Sequence, residues 1–321
     1  MPKLAFLLTI ATALLGAGFA TPTHALQNAW VSGHGKDAAG CGATSNPCAT
    51  LQYVHDHVIA AGGEIDILDP ADSYGPIIIK KSISIINDGV GAAVLRQTGK
   101  GQSVITINAG TNDVVDLRGL TLEGLGAALY GLNFNSGNTL NMQNCVIREF
   151  QIDGVFASPS TSFALNILDT VISSNASGGI YILPTLTPLV TVSLKRTQLL
   201  NNYKRGGFVF DGVVFAGVFR GTIADSVASN NLLGYGIVNG NFLATLEIVG
   251  SQAVNGTTGV SVDGKSATIF LGSSTLAGNY TAVGVSNGGI VDTYGNNFVS
   301  ASGKNSNGDS SWSLMQPTPM H

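Results

Sequence analysis

A repeat of about 25 residues constrains the fold of this chain more than any other feature of its sequence. From about residue 104, each unit contains a β-rich run, a small or polar residue, a second apolar run, an Asn-rich turn and a third run that opens with Gly. The glycines of the third runs lie 23 to 29 residues apart, at Gly154, Gly179, Gly207, Gly236, Gly259 and Gly284. Three short strands per unit, without a helical pattern, predict a solenoid.

The composition of the repeat favours one kind of solenoid. Leucine-rich repeats have a similar period, but their L-x-x-L-x-L-x-x-N consensus is absent. Asn readily adopts the left-handed conformation that a tight corner between sheets requires, and stacked amides can form a hydrogen-bonded ladder. Asn residues follow the second run at Asn175, Asn202, Asn231, Asn255 and Asn279. The sequence therefore predicts an all-β, right-handed parallel β-helix of roughly nine or ten coils, counting less regular segments before the repeat.

The N-terminal region predicts a leader and a cap. Lys3, the apolar run 4–15 and the small residues that end at Ala25 are typical of a signal peptide, so we expect a secreted or periplasmic protein cleaved near Ala25. The spacing of Leu51, Val54, Val58 and Ile59 predicts a short amphipathic helix that begins after Thr50 and ends at Gly62-Gly63. The predicted domains are a signal peptide over 1–25, a cap over 26–63, a β-helix over 64–300 and a polar tail over 301–321.

Charge and hydropathy exclude two classes of partner. The chain has 15 basic and 19 acidic residues, a net charge of −4 and no basic tract, so nucleic acid is not an expected partner. No apolar run after the leader is long enough for a membrane span, so membrane insertion is not expected either. The sequence makes no prediction of oligomeric state.

The close spacing of two of the three cysteines has two structural interpretations. Cys41 and Cys48 lie in a Gly/Ser/Asn/Pro loop, where they form either a disulfide or half of a zinc site. No second Cys or His pair follows at zinc-finger spacing, so the predictions are a disulfide and no metal site. Cys145 lies in an apolar strand pattern, which predicts a small buried side chain.

The segment "WVSGHGKDAAGCGATSNPCATLQYVHDHVIAAGGEIDILDP" carries a family resemblance. It resembles the N-terminal segment of exported bacterial right-handed parallel β-helix repeat-containing proteins, within the pectate-lyase-like superfamily. Those proteins show W/F-V-S-G-x-G-x-D, a Cys…Pro-Cys pair, a short helix and GGEIDVLDP. The resemblance covers these 40 or so residues closely and the remainder by repeat pattern, and it implies the fold without an assigned activity.

The resemblance to this superfamily makes the motifs of its polygalacturonases relevant to this chain. These enzymes combine Gly-His-Gly with an Asp-Asp pair and an Arg-x-Lys, because inverting hydrolysis needs two carboxyl groups around the bond. This chain has Gly33-His34-Gly35 but neither of the other two motifs. The tripeptide also precedes the coils that would hold carboxylates, so His34 is predicted to be a turn residue.

One column of charges is the candidate catalytic site. Asp169, Arg196 and Asp225 each lie six residues before a corner Asn, so they should stack on adjacent coils. In a pectate lyase, carboxylates hold Ca²⁺ and an Arg or Lys removes a proton next to a carboxylate. The alternative is a structural ladder of alternating charge, so no cofactor is predicted, and Ca²⁺ is expected only if the protein is a lyase.

Candidate substrate-binding residues cluster in the same repeats. They are Tyr203, Lys204, Arg205, Arg220 and Tyr235, which together offer aromatic rings and cations to a sugar, although a solvated corner explains them as well. The functional prediction is an exported β-helix protein that interacts with surface or extracellular polysaccharide. The alternatives are a polysaccharide lyase or glycoside hydrolase, and a structural or adhesive scaffold.

Overall fold

Three parallel β-sheets and one short helix form the described part of the chain in a computed structural model. The structure describes residues 26–186, 188–213, 216–240, 242–301, 303–308 and 312–314. The predicted signal peptide, residues 1–25, lies outside them. None of the helices within these ranges is long and apolar enough to cross a membrane.

The strands belong to sheet 1, sheet 2 and sheet 3, which contain twelve, nine and ten strands. Sheet 1 contains β1 (Leu26–Val31), β2 (Ile59–Ile67), β4 (Ile83–Ile86), β7 (Val114–Arg118), β10 (Thr139–Gln143), β13 (Phe163–Leu168), β16 (Leu189–Lys195), β19 (Val218–Ala224), β22 (Leu243–Val249), β25 (Ala267–Gly272), β28 (Ile290–Thr293) and β31 (Trp312–Leu314). Sheet 2 contains β5 (Ala93–Arg96), β8 (Leu120–Glu123), β11 (Val146–Arg148), β14 (Val171–Ser173), β17 (Gln198–Leu200), β20 (Val227–Ser229), β23 (Gln252–Val254), β26 (Thr275–Ala277) and β29 (Phe298–Ser300). Sheet 3 contains β3 (Ile77–Ile79), β6 (Ile105–Asn108), β9 (Leu132–Ser136), β12 (Asp153–Ala157), β15 (Gly178–Ile182), β18 (Gly206–Asp211), β21 (Leu233–Val238), β24 (Thr258–Asp263), β27 (Thr281–Ser286) and β30 (Lys304–Gly308).

Each coil visits the three sheets in turn and then returns to sheet 1. For example, β10, β11 and β12 lie in sheets 1, 2 and 3, and β13 then pairs in parallel with β10. The nine strands of sheet 2 correspond to about nine coils. The predicted right-handed parallel β-helix is confirmed, and so is its length.

The core consists of stacked apolar side chains inside the coils. Strand alternation sends every second residue inward, as in β10, where Leu140 and Met142 are buried while Asn141 points outward. The register repeats this arrangement in the next coil, where Leu165 and Ile167 pair with these two residues. The fold therefore fixes the inward positions and leaves the outward ones free to carry function.

The predicted corner ladder exists, with a correction at one position. Asn175, Asn202 and Asn231 are buried, and each Nδ2 of the first two donates to the Oδ1 of the next, at 3.0 and 3.1 Å. Asn255 is not a member, because Gly256 takes that position and its N–H donates to Asn279 Oδ1. Asn255 instead has a φ of 58°, and the residues that immediately precede the other ladder positions also have left-handed φ values, which are 57° for Ser174 and 56° for Asn201 and Asn230. The left-handed corner and the buried amide are thus two consecutive residues.

The N-terminal helix is shorter than predicted. Helix α1 spans Leu51–His57, with Thr50 Oγ1 accepting from Tyr53 N at 3.2 Å as the expected N-cap. The chain then enters β2 at Ile59, so Gly62 and Gly63 lie inside a strand and do not end the helix. A Cβ on Gly63 would come within 2.7 Å of the Gln27 carbonyl oxygen, so close packing against β1 explains this glycine.

Both ends of the chain differ from the predicted boundaries. Within the segment 26–63, β1 and β2 already belong to sheet 1. In the predicted polar tail, β30 and β31 extend sheets 3 and 1, and the other residues after 308 lie outside the described part. The solenoid therefore begins earlier and continues further than the sequence pattern indicates.

The predicted disulfide is present. Cys41 and Cys48 are bonded and buried, while Cys145 is a free, buried thiol. The loop that they close lies along β1, where Trp30 donates to Gly42 O and accepts from Cys48 N, each at 3.0 Å. The disulfide loop therefore holds the backbone of Trp30 in place at the first strand of sheet 1.

Candidate functional site

The outer face of sheet 1 carries two columns of side chains that run along the solenoid axis. Strand register places the members of each column on successive strands, about 4.8 Å apart. The first column contains Trp30, Asp66, Ile86, Arg118, Gln143, Leu168 and Lys195. The second contains Ser84, Asp116, Asn141, Asn166, Ser193, Thr222, Glu247 and Phe270.

A groove of about 530 Å³ lies over these columns, and we call it groove 1. Its polar lining comprises Ser84, Asp116, Arg118, Asn141, Gln143, Asn166, Ser193 and Lys195. The apolar side chains of Ile86 and Leu168 also line it. A concave surface that combines apolar patches with a few oriented polar groups is typical of a ligand site.

Hydrogen bonds orient the polar side chains of groove 1. Asn141 Nδ2 donates to Asp116 Oδ1 at 2.6 Å, and Asn166 Nδ2 donates to Asn141 Oδ1 at 2.8 Å. Ser84 Oγ donates to the other oxygen of Asp116 at 3.4 Å. Because Asp116 accepts from Asn141, and Asn141 in turn accepts from Asn166, the orientation of both amides is fixed before any ligand arrives.

A pair of carboxyl groups lies at the N-terminal end of the same face. Glu64 and Asp66 are two apart in β2, so they project from one face and lie close enough to affect each other's pKa. Burial raises the pKa of both, and the proximity of Asp66 raises the pKa of Glu64 further. Trp30 neighbours Asp66 across the strands. An aromatic ring and a pair of carboxyl groups thus lie in line with groove 1.

A second groove of about 500 Å³, groove 2, continues along sheet 1 toward the C-terminus. It is lined by Arg220, Thr222, Thr245, Glu247, Phe270 and Tyr294, together with Thr191, Val192 and Gly221. Strand β16 borders both grooves, since Ser193 lines groove 1 and Thr191 lines groove 2. The two grooves therefore form one extended face with aromatic rings near each end.

The Asp169, Arg196 and Asp225 column stacks at the corner beside groove 1. Asp169 N donates to Lys195 O, and Arg196 N donates to Ala224 O, so each residue lies beside the next member of the column. All three have left-handed φ values, of 50°, 48° and 51°. Arg196 binds Asp169 through two hydrogen bonds of 2.6 and 2.9 Å, which lower the pKa of that carboxyl. A cation between the two carboxylates would have to displace Arg196, so this geometry favours a charge ladder at a strained corner.

The predicted substrate-binding residues do not share a surface. Tyr203 (62% exposed) and Lys204 lie at the corner between sheets 2 and 3, whereas Arg220 lines groove 2 on sheet 1. Tyr235 is a correction, because its side chain is 0% exposed and its hydroxyl donates to Gln252 O inside the solenoid. A tyrosine in the core cannot stack on a sugar, so Arg220 is the predicted residue that the structure places in a groove.

Arg205 belongs to a network on sheet 3. Its Nη1 donates to Asp153 Oδ2 at 2.8 Å, and its guanidinium lies 3.8 Å above the ring of Tyr181. The Asp153 side chain is 0% exposed. Burial raises the pKa of Asp153 to about 6, although the nearby Arg205 lowers it in part.

His34 lies at the turn that the sequence predicts. Its Nδ1 is 3.4 Å from Asp69 Oδ2, while Asp69 also accepts from Ser32 Oγ, Gly33 N and Tyr74 Oη. Burial opposes ionisation of Asp69, but these hydrogen bonds lower its pKa to about 2. Asp69 is therefore the anchor of this turn, and the imidazole lies at its exposed edge.

The fold and these two grooves define a parallel β-helix with an extended, partly aromatic cleft along one sheet. Comparison with solved structures finds the crystal structure of the pectate lyase Pel9A, with a TM-score of 0.57 and 13% sequence identity over 91% of this chain and 79% of that one. At this identity the likeness shows a shared fold. No protein-family model matches the chain, and no curated protein matches its sequence.

The residues of groove 1 are inconspicuous in the sequence for a physical reason. Its residues are single polar letters inside apolar runs, as in "VVDLRG", "LNMQN" and "LNILD". Aligning the first runs of successive units places Asp116, Asn141 and Asn166 in one column, a signal that was present. The charges at the corner are more conspicuous in the sequence, because each lies at a constant distance from a corner Asn.

Proposed function

We propose that this protein binds an extended polysaccharide along the outer face of sheet 1. The observation that carries this proposal is the ladder of Asp116, Asn141 and Asn166, whose oriented polar groups repeat along the axis of groove 1. The shared fold with a pectate lyase supports a role connected with polysaccharide. The predicted signal peptide supports a site of action outside the cytoplasm.

A linear polymer suits this face because both repeat along one direction. Successive coils present equivalent positions about every 4.8 Å, so a chain parallel to the axis meets similar partners again and again. Amides and carboxylates exchange hydrogen bonds with sugar hydroxyls, while Trp30, Phe270 and Tyr294 offer apolar rings near the two ends. Because the amides are already oriented, little side-chain entropy is lost on binding.

The test is binding of a polysaccharide panel to the Asn166→Ala variant. Removing this amide deletes one exposed member of the ladder, and we expect the affinity of the bound glycan to fall about tenfold, since a lost hydrogen bond in a groove is worth about 1 to 2 kcal/mol. Gln198→Ala is the matched control, because Gln198 is an exposed amide on the outer face of sheet 2. Calorimetric titration that shows equal affinity for both variants would refute the proposal.

A second candidate function is cleavage of the bound polysaccharide, which the Glu64–Asp66 pair favours. A carboxyl group whose pKa is raised keeps its proton nearer neutral pH and can protonate a leaving group, while its partner acts as a base. We expect Glu64→Gln to abolish any release of new chain ends and to leave binding intact. Cleavage of pectate by elimination would instead yield an unsaturated product that absorbs ultraviolet light. Recording this absorbance while Ca²⁺ is titrated into the same assay would reveal it.

A further inference from the structure

A groove of about 630 Å³ lies at the N-terminal end of the outer face of sheet 3, and we call it the sheet 3 groove. Its polar lining comprises Thr50, Gln52, Gln97, Gln102, Ser103, Thr106 and Asn133, and its remaining lining is Gly75, Pro76, Ile77, Ile78 and Gly101. None of these described lining residues is charged. The chemistry of this groove therefore differs from that of the two grooves on sheet 1, where carboxylates and cations occur.

Strand register connects the sheet 3 groove to an aromatic pair. Ile78, Thr106, Asn133 and Phe156 occupy one outward column on consecutive strands. Tyr130 stacks on Phe156, with ring centroids 4.9 Å apart and planes within 17°. The backbone next to Tyr130 is fixed to the groove wall, since Leu129 N donates to Gln102 O at 2.8 Å. The aromatic pair thus adjoins the polar lining.

Two amides in the sheet 3 groove are placed for a ligand. Gln97 Nε2 donates to Gln102 Oε1 at 2.7 Å, which fixes the Gln102 amide at the rim. Asn133 Oδ1 is shielded from solvent and has no hydrogen-bond partner among the described residues. A buried acceptor without a donor costs about 1 to 3 kcal/mol, so Asn133 would gain a hydrogen bond when its side chain turns into the groove and meets a ligand hydroxyl.

We propose that the sheet 3 groove is a second glycan-binding site, specific for uncharged oligosaccharides. Amides and hydroxyls match the donors and acceptors of neutral sugars, and the Tyr130–Phe156 pair supplies an apolar surface. An anionic ligand would find no cation in the lining, and an organic cation would find no carboxylate. The site is separate from the one proposed on sheet 1.

The test is calorimetric titration with neutral gluco- and manno-oligosaccharides. Asn133→Ala and Gln102→Ala should each weaken binding of the neutral ligand about tenfold. Asn135→Ala is the matched control, because Asn135 lies two residues from Asn133 on β9 and its amide bonds to Asn108 outside the groove. Gln102 is exposed, so its variant reports on binding even where the Asn133 variant does not fold.

The two proposed sites give different patterns of loss. Asn166→Ala in groove 1 should leave neutral binding at the sheet 3 groove unchanged, and Asn133→Ala should leave binding on sheet 1 unchanged. The inference is overturned when no neutral oligosaccharide binds, or when Asn135→Ala weakens binding as much as Asn133→Ala. Loss of neutral binding in Asn166→Ala alone would overturn it as well, since the ligand would then lie on sheet 1.

Discussion

Asp153 is the residue whose ionisation should affect stability most visibly. Burial raises its pKa from the usual value near 3.8 to about 6, despite the Arg205 partner. The folded protein therefore holds a proton that the unfolded chain releases, so the free energy of unfolding should fall as the pH rises from about 4 to 6. Relative to Asp153→Asn, we expect the wild-type protein to lose up to roughly 3 kcal/mol across this window in urea unfolding.

The control for this effect is Asp72→Asn, which makes the same change of charge at an exposed side chain. Its difference from the wild-type protein should stay nearly constant over the same pH range. A difference between wild type and Asp153→Asn that is flat, or that rises with pH, would show that Arg205 compensates for burial of the carboxylate.

Individual residues were predictable where the backbone repeat determines them. The stacking of Asp169, Arg196 and Asp225 followed from their constant distance to the corner, and the pairing of Cys41 with Cys48 from their shared loop. The solvent exposure of a given ring did not follow, because alternation along a strand decides it. Tyr235 was therefore expected at the surface and lies in the core.

At the corner between sheets 2 and 3, removing a member of the Asn ladder should markedly lower the free energy of unfolding. Asn202 is fully buried, donates to Asn231 Oδ1 and accepts from the side chain of Asn175. Asn202→Ala would leave several buried polar groups unpaired, so we expect a loss of about 2 to 4 kcal/mol in the free energy of unfolding. Urea denaturation should show a lower midpoint with the same slope.

The comparison for the ladder is Asn135→Ala, which removes an amide–amide bond between exposed side chains. That change should cost no more than about 0.5 kcal/mol, because water replaces the lost partner. A loss of similar size in both variants would mean that burial adds nothing to the Asn202 contacts.

Strands and helices are predictable where the apolar residues follow one periodicity, and their ends are predicted wrongly where a helical and a strand periodicity overlap. The three-strand coil and the N-cap at Thr50 followed from spacing, and both are confirmed. The predicted end of α1 is wrong because Val58 and Ile59 continue the helical stripe while the chain has already turned toward sheet 1. Gly62 and Gly63 are the usual signal for a helix end, yet here Gly63 permits close packing of two strands and Gly62 adopts a left-handed φ of 79°.

For the whole molecule, the repeat determines the inside of the solenoid and leaves its outside undetermined. Inward positions must be apolar in every coil, so their pattern is visible in the sequence. Outward positions carry no such requirement, so the polar residues of the two grooves of sheet 1 and of the sheet 3 groove are much less conspicuous in the sequence than the inward apolar residues. Fold was therefore predictable from the sequence, and the location of candidate sites was not.

The length of the cleft leads to a prediction for the whole molecule. Grooves 1 and 2 together run from Ser84 on β4 to Tyr294 after β28, eight strand spacings or roughly 38 Å. If one polysaccharide chain occupies both, affinity should rise with oligosaccharide length until the ligand covers this distance, and then level off. Arg220→Ala in groove 2 should weaken binding of long ligands and leave unchanged the affinity for short ligands that occupy groove 1. Titration with a length series would contradict this if affinity already levels off at a length that one groove accommodates, because groove 2 would then contribute nothing.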